Sequence, residues 1–419
     1  MILSSKLKHF AKKYIPKTIQ PFFHKLYVFV NYRIYIFFYK RSLEKYFTNF
    51  EAINRLLKLK TVKIIQLTYY SSCGTKYLSG GAERYVTDLC KIIKKMGLEP
   101  YIIQQGKTNW HLIHEGINIF GVKADGLEML NVQSHNKVFG VPELTIYSPF
   151  ALAYPKTAPN SIGISHGIFW DQIHSAHSIK NVKKSFDNIG CLVSVDTVTI
   201  NWFRSTTHFA AAKKNMIYIP NYVDLDMYKP SINKKNSANL IILFPRRLYK
   251  ARGYFLVTDI IESILDKYSN VEFHFVGQYD DPNVIKSKNR IIKKYGGRVK
   301  YYQENANKMH LIYQKSDITL IPTVASEGTS LSCIEAMASG NAVIATNVGG
   351  LTDLIINKHN GLLIEPTSNA LHDAIIELIE KQNLRTQLAK NAMEVAKTFC
   401  YKEWKNKWIE IINESIEKI

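Results

Sequence analysis

Short apolar runs alternate with stretches whose apolar residues recur every three or four positions, and the alternation runs through the chain twice. That pattern constrains the fold more than any other feature. "KTVKIIQLTYY" (residues 60–70) carries Val62, Ile64, Ile65 and Leu67 and reads as a buried first strand. A loop rich in Ser and Gly follows. Then "AERYVTDLCKIIKKMG" places Val86, Leu89, Ile92 and Ile93 at helical spacing, closed by Gly97, and "PYIIQQ" supplies the next strand. Strand, glycine loop, helix and strand within about 45 residues make a βαβ unit. Further strands are expected at "LTIYSP", "SIGISH" and "GCLVSV". Pro220, Pro230 and a polar run then mark a linker near residues 225–238. Beyond it the alternation resumes with "LIILFP", "VEFHFVG", "VKYYQ", "ITLIPT" and "AVIATN". Two successive α/β halves, each a doubly wound parallel sheet, are the economical architecture.

Composition narrows the class. Apolar residues make up 46% and charged residues 21%, which suits a globular enzyme. Five scattered cysteines form no C-x-x-C pair, against a disulfide framework or a structural zinc and in favour of a reducing cytosol. The net charge of +21 calls for anionic partners. Residues 1–45 hold ten Lys or Arg against the single acid Glu44, interleaved with aromatics such as Phe10, Phe22, Tyr27 and Phe37. Basic and aromatic residues mixed in this way describe a segment lying on an anionic bilayer surface. Packing of these helices on the domain core is the alternative. The run "LYVFVNYRIYIFFY" has 14 residues and contains Asn31 and Arg33, short of the roughly 20 apolar residues that span a bilayer. A non-catalytic, nucleic-acid-binding protein is a competing class, but no nucleic-acid motif accompanies the charge.

The most informative stretch is "SEGTSLSCIEAMASGNAVIATNVGG" (326–350). Its helix, "TSLSCIEAMASG", is expected to be capped by Thr329 or Ser330 and ended by Gly340. Glu327 lies in the loop before it, and Glu335 sits four residues after Leu331, on the buried side. A buried carboxylate is costly unless donors satisfy it. A ribose diol would do so, and so would a capping box with Ser332, which "SCIE" permits. Ligands of such folds sit at strand carboxyl ends, where helix N-termini present free N–H groups. Glu327 and the amides of Gly328, Thr329 and Ser330 would border that cleft.

This stretch, with "NGLLIEP" (360–366), resembles the donor-site signature of glycosyltransferase family 4, two glutamates with seven residues between them. Other pieces agree in order: "GGAERYV" (80–86), "SHG" (165–167), "IPNYVD" (219–224), "RRLYKARG" (246–253) and "VGQYDD" (276–281). The similarity runs from about residue 62 to 398. It implies a GT-B fold of two Rossmann-like doubly wound domains facing across a cleft. The expected parts are a basic helical extension (1–58), an acceptor domain (59–228), a donor-binding domain (229–398) and a helical tail (399–419) returning to the N-terminal domain.

The resemblance also implies retaining, metal-independent transfer of a hexose from a UDP- or GDP-sugar to a saccharide or lipid-linked acceptor. It implies a catalytic set of Glu327, His166, Arg247 and Arg252. Arg252 stands where members usually have Lys, and Arg246 and Lys250 are weaker candidates. Glu335 would bind ribose, Gly80 and Gly81 would admit the diphosphate, and residues 328–331 would bind phosphate and sugar. Thr329–Ser330 replaces a common Phe-Gly and leaves the donor sugar open. "DLD" (224–226) and the pair His174 and His177 are expected not to bind metal. The expected location is the cytoplasmic face of the plasma membrane, in cell-surface polysaccharide or glycolipid synthesis, with no nucleic-acid partner. Another GT-B activity, such as an epimerase or a phosphorylase, is the nearest alternative.

Overall fold

Parallel neighbours in a sheet need a crossover between them, so each strand of this chain must be followed by a segment that can cover the sheet. The computed structural model describes residues 41–47, 51–78, 80–123, 138–154, 158, 160–170, 176–206, 215–231 and 239–417. Its N-terminal sheet comprises β1 (Thr61–Gln66), β2 (Glu99–Gly106), β3 (Trp110–His114), β4 (Ile117–Lys123), β5 (Leu144–Ser148), β6 (Ser161–Ser165), β7 (Cys191–Ser194) and β8 (Asn215–Tyr218). They run in the order β3-β4-β2-β1-β5-β6-β7-β8. All pairings are parallel except β3 with β4, a short antiparallel hairpin not anticipated from the apolar pattern.

The second sheet comprises β9 (Leu240–Phe244), β10 (Val271–Val276), β11 (Val299–Tyr302), β12 (Ile318–Ile321), β13 (Ala342–Thr346) and β14 (Leu362–Ile364). Its order is β11-β10-β9-β12-β13-β14, all parallel. Strand order reverses between β1 and β5 in the first sheet and between β9 and β12 in the second. Reversal opens a crevice at the strands' carboxyl ends.

The helices are α1 (Glu51–Leu56), α2 (Gly81–Lys95), α3 (Ala176–Asn188), α4 (Thr197–Thr206), α5 (Tyr254–Lys267) and α6 (Pro282–Tyr295). After them come α7 (Met309–Lys315), α8 (Leu331–Ala338), α9 (Ser368–Glu380), α10 (Gln382–Ala396) and α11 (Tyr401–Glu417). α2 shows how sequence becomes packing. Tyr85, Val86, Leu89, Cys90, Ile92 and Ile93 fall on one face and are buried against Val62, Ile64 and Ile102 of the sheet. Each such aliphatic burial is worth about 1.5–3 kcal/mol. Gly97, at φ 79°, turns the chain out of the helix into β2.

Of the basic extension, residues 41–47 and α1 pack on the N-terminal domain. Leu43, Phe47, Ile53 and Leu56 are buried with Ile65, Tyr101, Phe120 and Phe139, and Phe47 meets Phe120 edge-on. Arg41, Lys45 and Arg55 are on the exposed side. For these residues packing on the core describes the structure; residues 1–40 of the membrane reading lie outside the described residues. No helix among the described residues is long and apolar enough to cross a membrane.

The C-terminal helix α11 lies on the N-terminal domain. Trp404, Trp408, Ile411 and Ile412 enter the core around α2, and the Trp408 indole N–H donates to the Tyr85 hydroxyl at 2.9 Å. Phe399 and Tyr401 pair with Val223, just before the linker. The chain thus crosses between domains twice at one place. Trp408→Ala is expected to lower the unfolding free energy of the N-terminal domain by about 3–5 kcal/mol, read as a lower urea midpoint. An unchanged midpoint would contradict this docking.

Candidate functional site

At the second switch point the chain leaves β9 as Pro245–Arg246–Arg247 and leaves β12 as Pro322–Thr323. Both segments therefore rise at the crevice, and Glu327 arrives between them. The Glu327 Oε2 atom accepts from the guanidinium of Arg246, from that of Arg252, and from the Thr323 hydroxyl at 2.9 Å. Arg246 also donates to Thr323, and Arg252 to the Ser326 carbonyl at 3.2 Å. Burial alone would push the Glu327 carboxyl up. The two guanidinium groups outweigh it and hold the pKa below the ordinary carboxylate value. Arg252 is brought there by a 3-10 turn (Lys250–Arg252) that ends at Gly253. Gly253 sits at φ 79°, where a Cβ would lie 1.7 Å from the Pro322 carbonyl oxygen, so only glycine fits.

Arg247 does not join this triad. It is exposed, and its Nη2 lies 3.0 Å from where a Cβ on Gly80 would stand. Glu83 Oε2 lies 2.3 Å from the same point, so glycine at 80 lets the first turn of α2 and Arg247 approach across the cleft. Gly81 is looser, with only Leu331 Cδ1 at 3.4 Å. Glu83 is buried and accepts from Thr68 Oγ1 at 3.3 Å. Its burial raises the carboxyl's pKa against the pull of Arg247.

Glu335 is 4% exposed in α8. Arg84, from the first sheet's side, donates to its Oε1 at 2.6 Å, and Tyr313 donates to its Oε2 at 3.1 Å. Burial opposes the charge on Arg84, but the Glu335 carboxylate holds its pKa above the ordinary value. The capping-box alternative does not form, because Ser332 lies inside α8 and is not its N-cap; its hydroxyl donates to the Pro245 carbonyl at 3.3 Å. Ser330 is the N-cap of α8 by backbone position, without a side-chain cap bond, and Gly340, at φ 77°, follows the last turn.

His166 follows β6, and its Nε2 is 2.9 Å from Ser148 Oγ at the end of β5. Burial pushes the imidazole pKa down to about 4, so it is neutral near pH 7. The ring stands edge-on to Tyr85 at 5.3 Å. The backbone beside it meets the donor loop directly: a Cβ on Gly328 would lie 2.8 Å from the His166 carbonyl oxygen, and one on Gly167 3.0 Å from the Gly328 nitrogen. Thr329 is fully buried and faces the other domain, donating to the Val195 carbonyl at 2.7 Å and accepting from the Asn221 N–H at 2.9 Å. The Thr197 N–H and hydroxyl donate to Asp353 at 2.7 and 2.5 Å.

The structure therefore gathers Glu327 with Arg252, Arg247 with Gly80, and His166 with Gly328, and it sets Leu331 against Gly81. It differs from the sequence reading in two respects. Arg246, read as a weak candidate, is the guanidinium most deeply tied to Glu327. Glu335 is already satisfied by protein groups. Sequence reasoning missed Arg84, Thr323, Tyr313 and Asp353. Arg84 lay inside the quoted "GGAERYV", and Thr323 ends the strand "ITLIPT", so position at a strand or helix end was the available signal.

"DLD" has a structural job: the Asp224 carboxylate accepts from the backbone N–H of Asp226 at 2.9 Å and of Met227 at 3.3 Å. No group of three or more His, Cys, Asp or Glu among the described residues could hold a metal ion. His174 lies outside the described residues.

Comparison with known proteins adds four findings. Residues 229–395 match the family described as Glycosyl transferases group 1. An uncharacterized glycosyltransferase of Methanocaldococcus jannaschii is 28% identical over 191 residues, 44% of this chain and 54% of that protein. The chain thus spans about half the length of that relative. A D-inositol 3-phosphate glycosyltransferase of Corynebacterium glutamicum is 20% identical over 393 residues, 81% of this chain and 92% of that one. Among solved structures, Anabaena HepE in complex with UDP-glucose superposes with a TM-score of 0.67 at 18% identity, covering 84% of this chain and 99% of the other. The paired parallel sheets are the GT-B fold.

The His166 pKa yields a stability prediction with a definite sign. The folded value of about 4 lies below the ordinary 6.5, so between those values the unfolded chain takes up a proton that the folded one refuses. Stability from this group is complete above pH 6.5 and is lost as pH falls, by roughly 2–3 kcal/mol at pH 4.5. Urea titrations at pH 7 and 4.5 should show that His166→Gln loses less stability on acidification than wild type. Equal losses would contradict the buried neutral imidazole.

Proposed function

We propose, from the match of residues 229–395 to the family Glycosyl transferases group 1, that the chain transfers a hexose from a nucleotide diphosphate-sugar to a saccharide or lipid-linked saccharide. The observation that carries the reading is the meeting of opposite charges at one crevice. Glu327, Arg246 and Arg252 rise from the second sheet, and Arg247 faces the Gly80 turn of the first.

The difficult event in such a transfer is departure of the diphosphate, which gathers negative charge while the anomeric carbon becomes cationic. Fixed guanidinium groups lower that barrier because they need no reorganisation as charge develops. Arg247, exposed at the cleft, and Arg252, beside Glu327, are the groups assigned to the diphosphate. The N–H groups of Gly328, Thr329, Ser330 and Leu331, at the start of α8, supplement them. Glu327, kept ionised by its guanidinium partners, is assigned to the hexose and the reacting face. Glu335 is assigned to the ribose, and neutral His166 to a hydrogen bond with the donor sugar. Retention of anomeric configuration without a metal is part of the proposal, as is a UDP- or GDP-linked donor; HepE's complex with UDP-glucose supports the uridine form. The basic N-terminal extension supports an anionic membrane surface as the working location, at the cytoplasmic face, in cell-surface glycan synthesis.

Incubation with labelled UDP- and GDP-hexoses and a lipid-linked saccharide is expected to give a glycosylated lipid. Free nucleotide without product would overturn the transferase reading. Glu327→Ala is expected to lower kcat by at least 100-fold, on the order of the loss of one preorganised transition-state contact. Glu335→Ala is expected chiefly to raise the donor KM. Unchanged kinetics in both variants would show that the site lies elsewhere.

A further inference from the structure

Glu335 has a partner from each domain. Tyr313 holds Oε2 from its own side, and Arg84 holds Oε1 from the first turn of α2, 251 positions away in sequence. The carboxylate side chain is 5% exposed, whereas the Arg84 side chain is 31% exposed. One member of the pair is sealed and the other has solvent at its back.

We propose that Arg84 gates the donor site by occupying the Glu335 oxygen that a nucleotide's ribose needs, so that donor binding exchanges one partner for the other. The inference rests on the assignment of Glu335 to the ribose. A vicinal diol and a guanidinium both offer a pair of hydrogen-bond donors to a carboxylate, and Oε1 is the oxygen that Arg84 holds. Exchange avoids the cost of stranding a buried charge, because the carboxylate is paired before and after. The Arg84 side chain that is released is already 31% exposed. The gate can open locally. Thr197 with Asp353, and Asn221 and Val195 with Thr329, tie the domains without touching Glu335. When the spent nucleotide leaves, Arg84 recaptures Glu335 and favours its release.

The test uses the full chain with two probes, UDP and its 2′,3′-dideoxy analogue, titrated against wild type, Arg84→Met and Glu335→Gln. Any attraction between Arg84 and phosphate is common to both probes, so the ratio of their dissociation constants isolates the diol. Removing a competing charged hydrogen bond is expected to raise the preference for UDP about tenfold in Arg84→Met. An unchanged or smaller preference overturns the gate and makes Arg84 an ordering partner of Glu335. A wild-type preference that survives Glu335→Gln overturns the ribose assignment itself, and the gate with it. If GDP, not UDP, binds wild type, the guanosine pair of probes serves identically. Binding of neither nucleotide defeats both readings. Should Arg84→Met not fold, Arg84→Gln carries the same comparison.

Discussion

Two carboxylates at the crevice, Glu335 buried and Glu327 largely enclosed, set the terms for this molecule. An unpaired carboxylate in such a place is prohibitively costly, so each must be met by cations or strong donors. Glu327 is met from within its own domain by Arg246, Arg252 and Thr323. Glu335 is met across the cleft by Arg84. The first arrangement fixes the shape of the donor loop, and the second joins the two halves. Both follow from strand order, because reversal between β1 and β5 and between β9 and β12 puts the loops carrying these groups at facing crevices.

Glycine plays a distinct part in bringing those loops together. Gly328 and Gly167 place backbone against backbone between the domains, with no room for a Cβ. Gly253 allows the turn after Arg252 to pass under Pro322. These positions account for glycines in "SEGTS", "SHG" and "KARG" by sterics, independently of any ligand. The same sequence signals that imply a sugar-nucleotide site are therefore also demanded by the close approach of these backbone segments.

Much of the fold was legible because buried parallel strands and amphipathic helices leave clear periodicities. The runs "LIILFP", "ITLIPT" and "AVIATN" became β9, β12 and β13 in neighbouring register. The hairpin β3–β4 was not legible: Trp110–His114 is half buried and lacks a continuous apolar run. The site was legible as a set of loops but not as pairings. Spacing placed Glu335 on a buried helix face, yet nothing local says that its partner is 251 positions away. Likewise adjacent arginines look equivalent in sequence. Both follow the end of β9, yet Arg246 turns inward to Glu327 and Arg247 outward to Gly80.

The central claim is that one crevice holds a sugar nucleotide between these charged groups. A crystal structure of the chain with a bound UDP- or GDP-hexose tests it most directly. The account predicts ribose oxygens on Glu335, displacing Arg84, and the diphosphate between the Gly80–Gly81 turn and the guanidinium groups of Arg247 and Arg252. A nucleotide seated away from this crevice, with Arg84 still on Glu335, would contradict it.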